Sequence, residues 1–410
     1  MRLMRLATNY PRYLSQFYKQ RVGLEDEPYE VQYQTLMADC FGWADFWTYA
    51  LCKSGYEVWE PVGNAGPMQK VWAREHDISY SQTEWIIDIL MAQVKHFQPD
   101  LLFVSDYITY SAEFLRCLRH ECPSIRLVIG WCGAPYPDKS VFHAYDLVLS
   151  NMPGLVAHFR ENGHKSEYLL HGFEPRILEK LDRQSETRTA FSFIGSIVKR
   201  TDFHNTREQL LIKLVRATAL QIWSGSTASS SQIPRLLKLK QALYDLVHTL
   251  KLFPGGKNLL ASVPYIKKYL NMTYRPEPTG ILDSAILSRC HEPVYGLAMY
   301  QKLYGSDITL NTHIDISLQY ASNMRLYEAT GVGTCLLTEW QPNLHEIFEP
   351  ELEVVTYRNA EEAREKVRYL LSHDRKRREI GKAGQLRTLQ HHTLECRAQT
   401  FDRFIQEALS

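Results

Sequence analysis

Several common features are missing from this sequence, and each absence argues against a class of protein. None of the 8 cysteines lies in a C-x-x-C pair, and so few in 410 residues do not make a disulfide scaffold. No apolar run reaches the length of a membrane-spanning helix. The segment Met1–Leu6 carries charges but lacks the apolar stretch of a signal peptide. We therefore expect a cytoplasmic protein with reduced, mostly buried thiols.

A charge excess of either sign is also missing. The chain has 47 basic and 46 acidic side chains, a formal net charge of +1. Proteins that bind nucleic acid by neutralising phosphates need a basic excess, and so do polybasic membrane anchors. We expect neither kind of partner. A local basic pocket for one or two phosphates is compatible with this balance.

What is present is a repeated alternation of short apolar runs and helical patterns. Leu101–Val104 is a short apolar run that follows a helical pattern at Trp85–Phe97. Thr334–Thr338 follows a predicted helix at 323–330 in the same way. Such alternation predicts parallel sheets covered by helices, which bind ligands beyond the carboxyl ends of their strands. The fold class is therefore α/β.

The length and the composition shifts suggest two domains. A single core seldom extends past roughly 250–300 residues. Residues 1–172 form the first predicted domain, and the polar segment 173–189 is a predicted linker. Residues 190–385 form the second, interrupted by a predicted helical insertion at 227–287. A final helix at 386–410 is expected to pack back toward the first domain.

The strand ends of the first domain carry candidate site residues. Asp106 follows a predicted strand, where it is either a general base or the cap of the next helix. Trp131 and Gly133 follow another strand, and Trp131 either stacks on a sugar or belongs to the core. His313 and His171 are further candidates for proton transfer, although a lone histidine is more often structural.

The block from Asn311 to Glu339 is the most informative part of the sequence. Ser322 is a predicted N-cap, and Arg325 and Glu328 fall on one side of the helix that follows. An arginine there suits a pyrophosphate, and a carboxylate suits a ribose diol. The same spacing fits a surface ion pair on a packing helix. Both interpretations remain open from spacing alone.

This block resembles the C-terminal signature of the CgeB-like (spore maturation protein) glycosyltransferases, N-x-R-hydrophobic-F/Y-E-A-x-G-x-G. The matching stretch runs from Asn323 to Gly333. Further similar segments are Pro293–Gly296, Asp307–Asn311, Glu353–Tyr357 and Ile380–Gly384. The similarity covers most of the chain outside 227–287.

The resemblance implies a GT-B fold, in which two Rossmann-like domains face a cleft and the C-terminal one holds a nucleotide-sugar. It implies that Glu328 binds the nucleotide ribose and that Tyr295 and Gly296 abut the base. The full donor-binding set that we predict is Gly195, Ser196, Lys199, Arg200, Gly225, Tyr295, Gly296, Asn311, Asn323, Arg325 and Glu328. Lys199, Arg200 and Arg325 are the candidate phosphate contacts.

One departure from the family pattern affects the mechanism. Related retaining enzymes carry a second glutamate eight residues before the ribose acid, whereas this chain has Tyr320. The retaining or inverting outcome therefore stays open. No D-x-D metal motif is apparent, since Asp315 lies between Ile314 and Ile316. We expect no cofactor and no metal.

The predicted function is Leloir glycosyl transfer, from a nucleotide-diphosphate sugar to a glycan, protein or small-molecule acceptor. Asp106 and His313 are the predicted catalytic residues, and Trp131 and Gly133 the predicted acceptor contacts. Two alternatives remain. One is a non-catalytic GT-B-like scaffold of a spore or envelope assembly. The other is another GT-B nucleotide-sugar enzyme, such as an epimerase.

Overall fold

The computed structural model describes residues 1–134, 140–184, 188–197, 205–225, 242–247, 283–313 and 320–410. Their contacts define two compact units. The larger unit combines Met1–Ser192 with Val294–Ser410, and the smaller one is Phe193–Pro293. We describe each unit separately.

The first of two six-stranded parallel sheets is built from the N-terminal part of the chain. Its strands are β1 (Arg2–Leu6), β2 (Glu57–Trp59), β3 (Leu101–Val104), β4 (Leu127–Trp131), β5 (Leu147–Ser150) and β6 (Ser166–Tyr168), in the order β2-β1-β3-β4-β5-β6. The accompanying helices are α1 (Pro11–Lys19), α2 (Tyr29–Ala38), α3 (Phe46–Cys52), α4 (Gly66–Glu75), α5 (Trp85–Phe97), α6 (Ala112–Glu121), α7 (Pro153–Glu161) and α8 (Ile177–Lys180).

The central strands are buried along their whole length, as the continuous apolar runs predict. Every residue of β3, β4 and β5 is buried. Strand β3 pairs with β4 from Leu101 opposite Leu127 to Val104 opposite Gly130. Because the strands are parallel, the loops after β1 to β6 lie at one edge of the sheet. The loops that carry Asp106, Trp131 and Asn151 therefore share that edge.

The second sheet has the order β12-β11-β10-β7-β8-β9. Its strands are β7 (Thr189–Ile194), β8 (Leu220–Trp223), β9 (Cys290–His291), β10 (Ser306–Asn311), β11 (Cys335–Glu339) and β12 (Val355–Tyr357). The helices in this part are α9 (Asn205–Ala217), α10 (Ser284–Leu287), α11 (Gly296–Tyr304), α12 (Arg325–Gly331), α13 (Leu344–Ile347), α14 (Ala360–Ser372), α15 (Asp374–His391) and α16 (Leu394–Leu409).

Helix ends were predicted with mixed success. Asn359 caps α14, where its side chain accepts a hydrogen bond from the N–H of Glu362. The capping role predicted for Ser322 is wrong, because α12 begins at Arg325 with Met324 at the cap and no side-chain bond there. The carbonyl of Ser322 instead accepts a hydrogen bond from the side chain of Asn151.

Two other segments differ from their predicted form. The final helix predicted at 386–410 corresponds to the end of α15 and the whole of α16, because α15 ends at His391 and Thr393 caps α16. The predicted linker 173–189 contains buried residues, and the N–H of Phe173 donates to the carbonyl of His392 over 2.8 Å. Of the predicted insertion, 242–247 and Ser284–Leu287 are helical, and most of the remainder lies outside the described residues.

The last helix contacts the N-terminal part of the chain. The Phe401 ring lies 5.2 Å from Trp47 of α3 and 5.0 Å from Phe103 of β3. The hydroxyl of Tyr56 donates to Asp402 over 2.6 Å.

All eight cysteines are free; Cys40, Cys122, Cys132 and Cys335 are buried. Across the described ranges, no helix combines the length and apolar character that crossing a bilayer requires.

Candidate functional site

The carboxyl ends of β10 and β11 are joined by a hydrogen-bonded chain of polar side chains. The Asn311 amide donates to Thr338 Oγ1 over 2.9 Å, and the Asn323 amide donates to Asn311 Oδ1 over 2.8 Å. Tyr357 donates its hydroxyl proton to the Asn311 carbonyl over 2.9 Å. The structure thus brings together the predicted residues Asn311 and Asn323. Their amides hold the segment before α12 against the strand ends.

Glu339 lies at the same edge and was not among the predicted site residues. Its Oε2 accepts hydrogen bonds from the N–H of His313 at 3.1 Å and from the hydroxyl of Thr312 at 3.3 Å. His313 is 4% exposed. The predicted catalytic histidine is therefore a buried residue at the carboxyl end of β10, with its backbone held by Glu339.

Arg325 and Glu328 form the ion pair that their spacing predicts. Arg325 Nη1 lies 2.8 Å from Glu328 Oε2, and the side chains are only 15% and 11% exposed. The same nitrogen lies 3.0 Å from Met299 Sδ. The pair is thus formed in a largely desolvated position, whereas one interpretation from sequence placed it on the surface. Charges withdrawn from water in this way require close partners.

Tyr295 and Gly296, predicted to abut a base, are contacted by the loop between α2 and α3. The Tyr295 ring lies 5.6 Å from Tyr13 and 5.7 Å from Phe41. Gly296 has φ +52°, and a methyl group there would lie 2.2 Å from Asp39 Oδ2. Glycine is required by both the backbone angle and the close approach.

The carboxylate at this contact has two partners of its own. Asp39 accepts hydrogen bonds from Tyr13 and Arg21 at 2.9 and 3.2 Å. Burial raises the pKa of Asp39, and these two partners oppose the rise.

The smaller unit contains the predicted glycine turn. The N–H of Gly195 donates to the carbonyl of Trp223 over 3.1 Å. Arg207 donates to the carbonyl of Ser196 over 2.9 Å, which holds the turn after β7. Gly225 lies two residues after the end of β8. Lys199 and Arg200, the predicted phosphate contacts of this turn, lie outside the described residues, as does Asp315.

Asp106 has the contacts of a turn residue. Its Oδ1 accepts from the N–H groups of Ile108 and Thr109 at 2.9 and 3.0 Å. Its Oδ2 accepts the hydroxyl proton of Thr8. Both carboxylate oxygens therefore have partners that hold the loops after β1 and β3 together. Asp106 does not cap the next helix, since Ser111 caps α6 and accepts a hydrogen bond from the N–H of Phe114.

Trp131 packs in an aromatic cluster at the carboxyl end of β4. Its ring centroid lies 4.9 Å from Trp43 and 5.1 Å from His171, and the residue is 7% exposed. Burial, with the nearby charge of Arg397, lowers the pKa of His171 to about 3. The imidazole is therefore neutral at physiological pH, and Trp131 packs against two aromatic rings.

Asn151 is a further residue that site prediction missed. It follows the buried strand β5 and is 3% exposed. Its Nδ2 donates to the carbonyl of Ser322, three residues before the start of α12. A polar residue directly after a fully buried strand is the signal that could have identified it.

No group of three or more His, Cys, Asp or Glu side chains suited to a metal ion occurs within the described ranges.

Comparison with known proteins gives a family match over part of the chain. Residues 246–403 match the family described as glycosyl transferase-like. No curated protein sequence matches this chain.

Similar solved structures cover nearly all of the chain. Sucrose-phosphate synthase from Thermosynechococcus elongatus has 10% identity and a TM-score of 0.52, over 99% of this chain and 98% of that one. Anabaena Alr3699/HepE in complex with UDP-glucose has 11% identity and a TM-score of 0.52, over 99% and 100%. A glycosyltransferase from Rickettsia africae has 10% identity and a TM-score of 0.52, over 100% and 98%. The two parallel sheets and these likenesses show a GT-B fold of two Rossmann-like domains, whose C-terminal part is glycosyl transferase-like in sequence.

Proposed function

We propose that this protein is a glycosyltransferase that uses a nucleotide-diphosphate sugar as donor. The observation that carries the proposal is the buried Arg325–Glu328 pair at the start of α12, within the segment that matches the glycosyl transferase-like family. Anabaena Alr3699/HepE, which shares the fold, was solved with UDP-glucose, so donors of that class are the first to test.

Glu328 and Arg325 have complementary roles in this proposal. The Glu328 carboxylate accepts hydrogen bonds from both hydroxyls of the nucleotide ribose. Arg325 turns from Glu328 to the diphosphate, where a guanidinium makes two parallel charge-assisted hydrogen bonds. Each charge then keeps a partner when the donor binds, so neither is left buried alone.

The reaction forms one bond and breaks one. The acceptor hydroxyl oxygen attacks the anomeric carbon of the donor sugar, the bond from that carbon to the diphosphate breaks, and the hydroxyl proton passes to a base or to the leaving phosphate. Positive charge at the diphosphate stabilises the leaving group. We propose that Arg325 supplies it without a metal ion. Turnover that survives EDTA would support this, and turnover restored only by Mg²⁺ would contradict it.

The remaining predicted residues keep their proposed roles. Asp106 and His313 are the candidate bases, and Trp131 and Gly133 the candidate acceptor contacts. Gly195, Ser196, Lys199, Arg200 and Gly225 are candidates for the diphosphate, Tyr295 and Gly296 for the base, and Asn311 and Asn323 for the donor.

The experiment that tests the proposal detects nucleotide binding by its effect on thermal unfolding. UDP, GDP and dTDP are added separately, and the one that binds raises the melting temperature, because it binds only the folded state. Glu328→Gln should remove most of that rise. Glu379→Gln is the matched control, since Glu379 also pairs with an arginine on a helix but is 53% exposed. It should leave the rise unchanged.

A transfer assay then separates this function from its alternatives. Purified protein is supplied with UDP-, GDP- and dTDP-sugars, and released nucleotide is measured with and without acceptor. Release that increases with acceptor supports transfer. Conversion of the sugar without release indicates an epimerase. If no nucleoside diphosphate stabilises the wild-type chain and none is released, the proposal is wrong.

A further inference from the structure

We propose that Glu339 is a specificity residue for the donor sugar, because one oxygen of its carboxylate is placed to accept a hydrogen bond from a sugar hydroxyl. The inference rests on the glycosyl transfer proposed above. It specifies the transferred group as a neutral sugar with a free hydroxyl at the recognised position. It concerns binding, and it assigns Glu339 no proton transfer.

The protein uses only one of the two carboxylate oxygens of Glu339. Oε2 accepts hydrogen bonds from the N–H of His313 at 3.1 Å and from the hydroxyl of Thr312 at 3.3 Å. Oε1 has no hydrogen-bond or ion-pair partner in the described part of the chain. The carboxylate is therefore held in place through one oxygen, while the other keeps its full capacity to accept.

The unused oxygen lies where a ligand can reach it. Glu339 is the last residue of β11 and is half-buried. Its Oε1 is open to solvent, unlike Oδ1 of Asn323, which is enclosed and also lacks a partner among the described residues. Trp340, the next residue, is 38% exposed, and the guanidinium of Arg358 lies 4.5 Å from its ring. This strand end is therefore accessible from solvent.

Hydrogen bonds join this strand end to the proposed donor contacts. The carbonyl of Thr312 accepts a hydrogen bond from the side-chain amide of Asn323 at 3.3 Å, two residues before α12 begins. Arg325 and Glu328 of α12 are the proposed contacts of the diphosphate and the ribose. Ligands of parallel sheets bind beyond the carboxyl ends of the strands, and the sugar is attached directly to the diphosphate. A donor held by Arg325 thus carries its sugar along the edge where Glu339 lies.

The chemistry of the carboxylate determines which sugar it accepts. An ionised carboxylate only accepts hydrogen bonds, and a sugar hydroxyl can donate one. Such a charge-assisted hydrogen bond is stronger than one between neutral groups. No lysine or arginine of the described ranges pairs with Glu339, so an acidic sugar would bring a second negative charge close to an unpaired one. The site therefore favours a neutral sugar.

Glu339→Gln separates the proposed sugar contact from the contacts within the protein. Both bonds to the loop after β10 go to Oε2, so the single oxygen of the new amide can keep them. An N–H₂ group then takes the place of Oε1, and it cannot accept a hydrogen bond. The variant removes the free acceptor and the charge, and it leaves Thr312 and His313 with their partner.

The test measures dissociation constants by calorimetric titration of the full chain. The probes are the nucleoside diphosphate that stabilises the wild-type protein and the glucose, galactose and N-acetylglucosamine esters of that diphosphate. The ester that wild type binds most tightly should bind Glu339→Gln about tenfold more weakly, the effect of one lost charge-assisted hydrogen bond. The dissociation constant of the unesterified diphosphate should stay the same, because it carries no donor sugar.

Glu351→Gln is the matched control. The Glu351 carboxylate also accepts hydrogen bonds from an N–H and a hydroxyl, those of Thr356 at 3.0 and 2.8 Å. It precedes β12 rather than ending a strand, and it pairs with Lys366 at 2.9 Å. This variant should bind both ligands as wild type does.

A second measurement uses the wild-type chain alone. Each monodeoxy form of the best ester lacks one sugar hydroxyl, and one of these forms should bind about tenfold more weakly than the parent ester. Glu339→Gln should bind that form and the parent ester equally. If Glu339→Gln does not fold, the monodeoxy series on wild type decides.

Several results would overturn the inference while leaving the nucleotide site standing. Equal weakening of the diphosphate and its ester in Glu339→Gln would show that Glu339 only supports the loop after β10. Unchanged binding of the ester in that variant, or monodeoxy forms that all bind like the parent, would show that no hydroxyl is recognised. Binding of the diphosphate but of none of the three esters would reject the sugar class. Absence of nucleotide binding in wild type would instead reject the proposed function, and this inference with it.

Discussion

The buried ion pair between Arg5 and Glu60 provides the sharpest stability prediction. Arg5 lies on β1, and its guanidinium bonds Glu60, donates to the carbonyl of Ala44 over 2.8 Å and contacts Ser105 Oγ at 3.4 Å. Glu60 also accepts hydrogen bonds from the N–H and hydroxyl of Thr48, at 2.7 and 2.9 Å. The Arg5 and Glu60 side chains are 6% and 0% exposed, so water cannot replace either partner.

Glu60→Gln removes the negative charge and keeps nearly the same shape. The new amide has only one oxygen. If that oxygen stays with the N–H and hydroxyl of Thr48, an N–H₂ group faces the guanidinium. Arg5 is then a buried cation without a counter-ion. Removing one member of a buried pair typically costs about 3–5 kcal/mol. Burial raises the pKa of the Glu60 carboxyl, and the charge of Arg5 opposes that rise.

The control pair lies on β1 and β2. Arg2 is the register partner of Glu57 on β2 and bonds it at 3.2 Å, but the side chains are 38% and 64% exposed. Exposed pairs contribute about 1 kcal/mol or less, so Glu57→Gln should change the free energy of unfolding very little. The double variant Arg5→Met/Glu60→Leu should be more stable than Glu60→Gln, because it leaves no unpaired charge.

Urea unfolding followed by tryptophan fluorescence is the assay. Trp43 is a suitable reporter because the Arg5 guanidinium lies 5.8 Å from its ring. The free energy of unfolding is compared among wild type, Glu60→Gln, Glu57→Gln and the double variant. If Glu60→Gln lowers the free energy of unfolding by no more than Glu57→Gln, burial does not determine how much the Arg5–Glu60 pair contributes to stability, and the reasoning is refuted.

Three other predictions follow from single contacts. Burial and Arg397 lower the pKa of His392 to about 4, so the unfolded state binds the extra proton below pH 6.5. The contribution of this group to the free energy of unfolding is fully present above pH 6.5 and should be about 2 kcal/mol lower at pH 5. Urea titrations at pH 5 and 8 measure this loss, and His392→Gln should remove it. Gly296→Ala should destabilise by about 1–3 kcal/mol through its φ of +52° and the Asp39 contact. Both glycine variants are compared with wild type by thermal unfolding. Gly55→Ala, with φ +77° and nothing within 4 Å, should lower the melting temperature less than Gly296→Ala does. Asn359→Ala should cost about 1 kcal/mol by removing the cap of α14, and an unchanged urea midpoint would contradict that role.

Local features were determined by the sequence itself. The bounds of α5 and β3 agree with their apolar patterns, because a period of 3.6 or a short continuous apolar run depends only on nearby residues. The Arg325–Glu328 pair follows from helical geometry for the same reason. The α/β class needed no more than the alternation of such patterns.

The packing context of those residues was decided only by the tertiary structure. Asn151 and Ser322 are 171 positions apart, so no local pattern could predict the hydrogen bond between them. Spacing could not distinguish a surface Arg325–Glu328 pair from a buried one, since burial depends on what α12 packs against. Trp131 Nε1 and Asn151 Oδ1 likewise both lie 3.0 Å from the Cβ position of Gly133 because β4 and β5 are neighbours in the sheet. Short-range periodicity determines elements, whereas the energy of a buried polar group depends on partners that are distant in the chain.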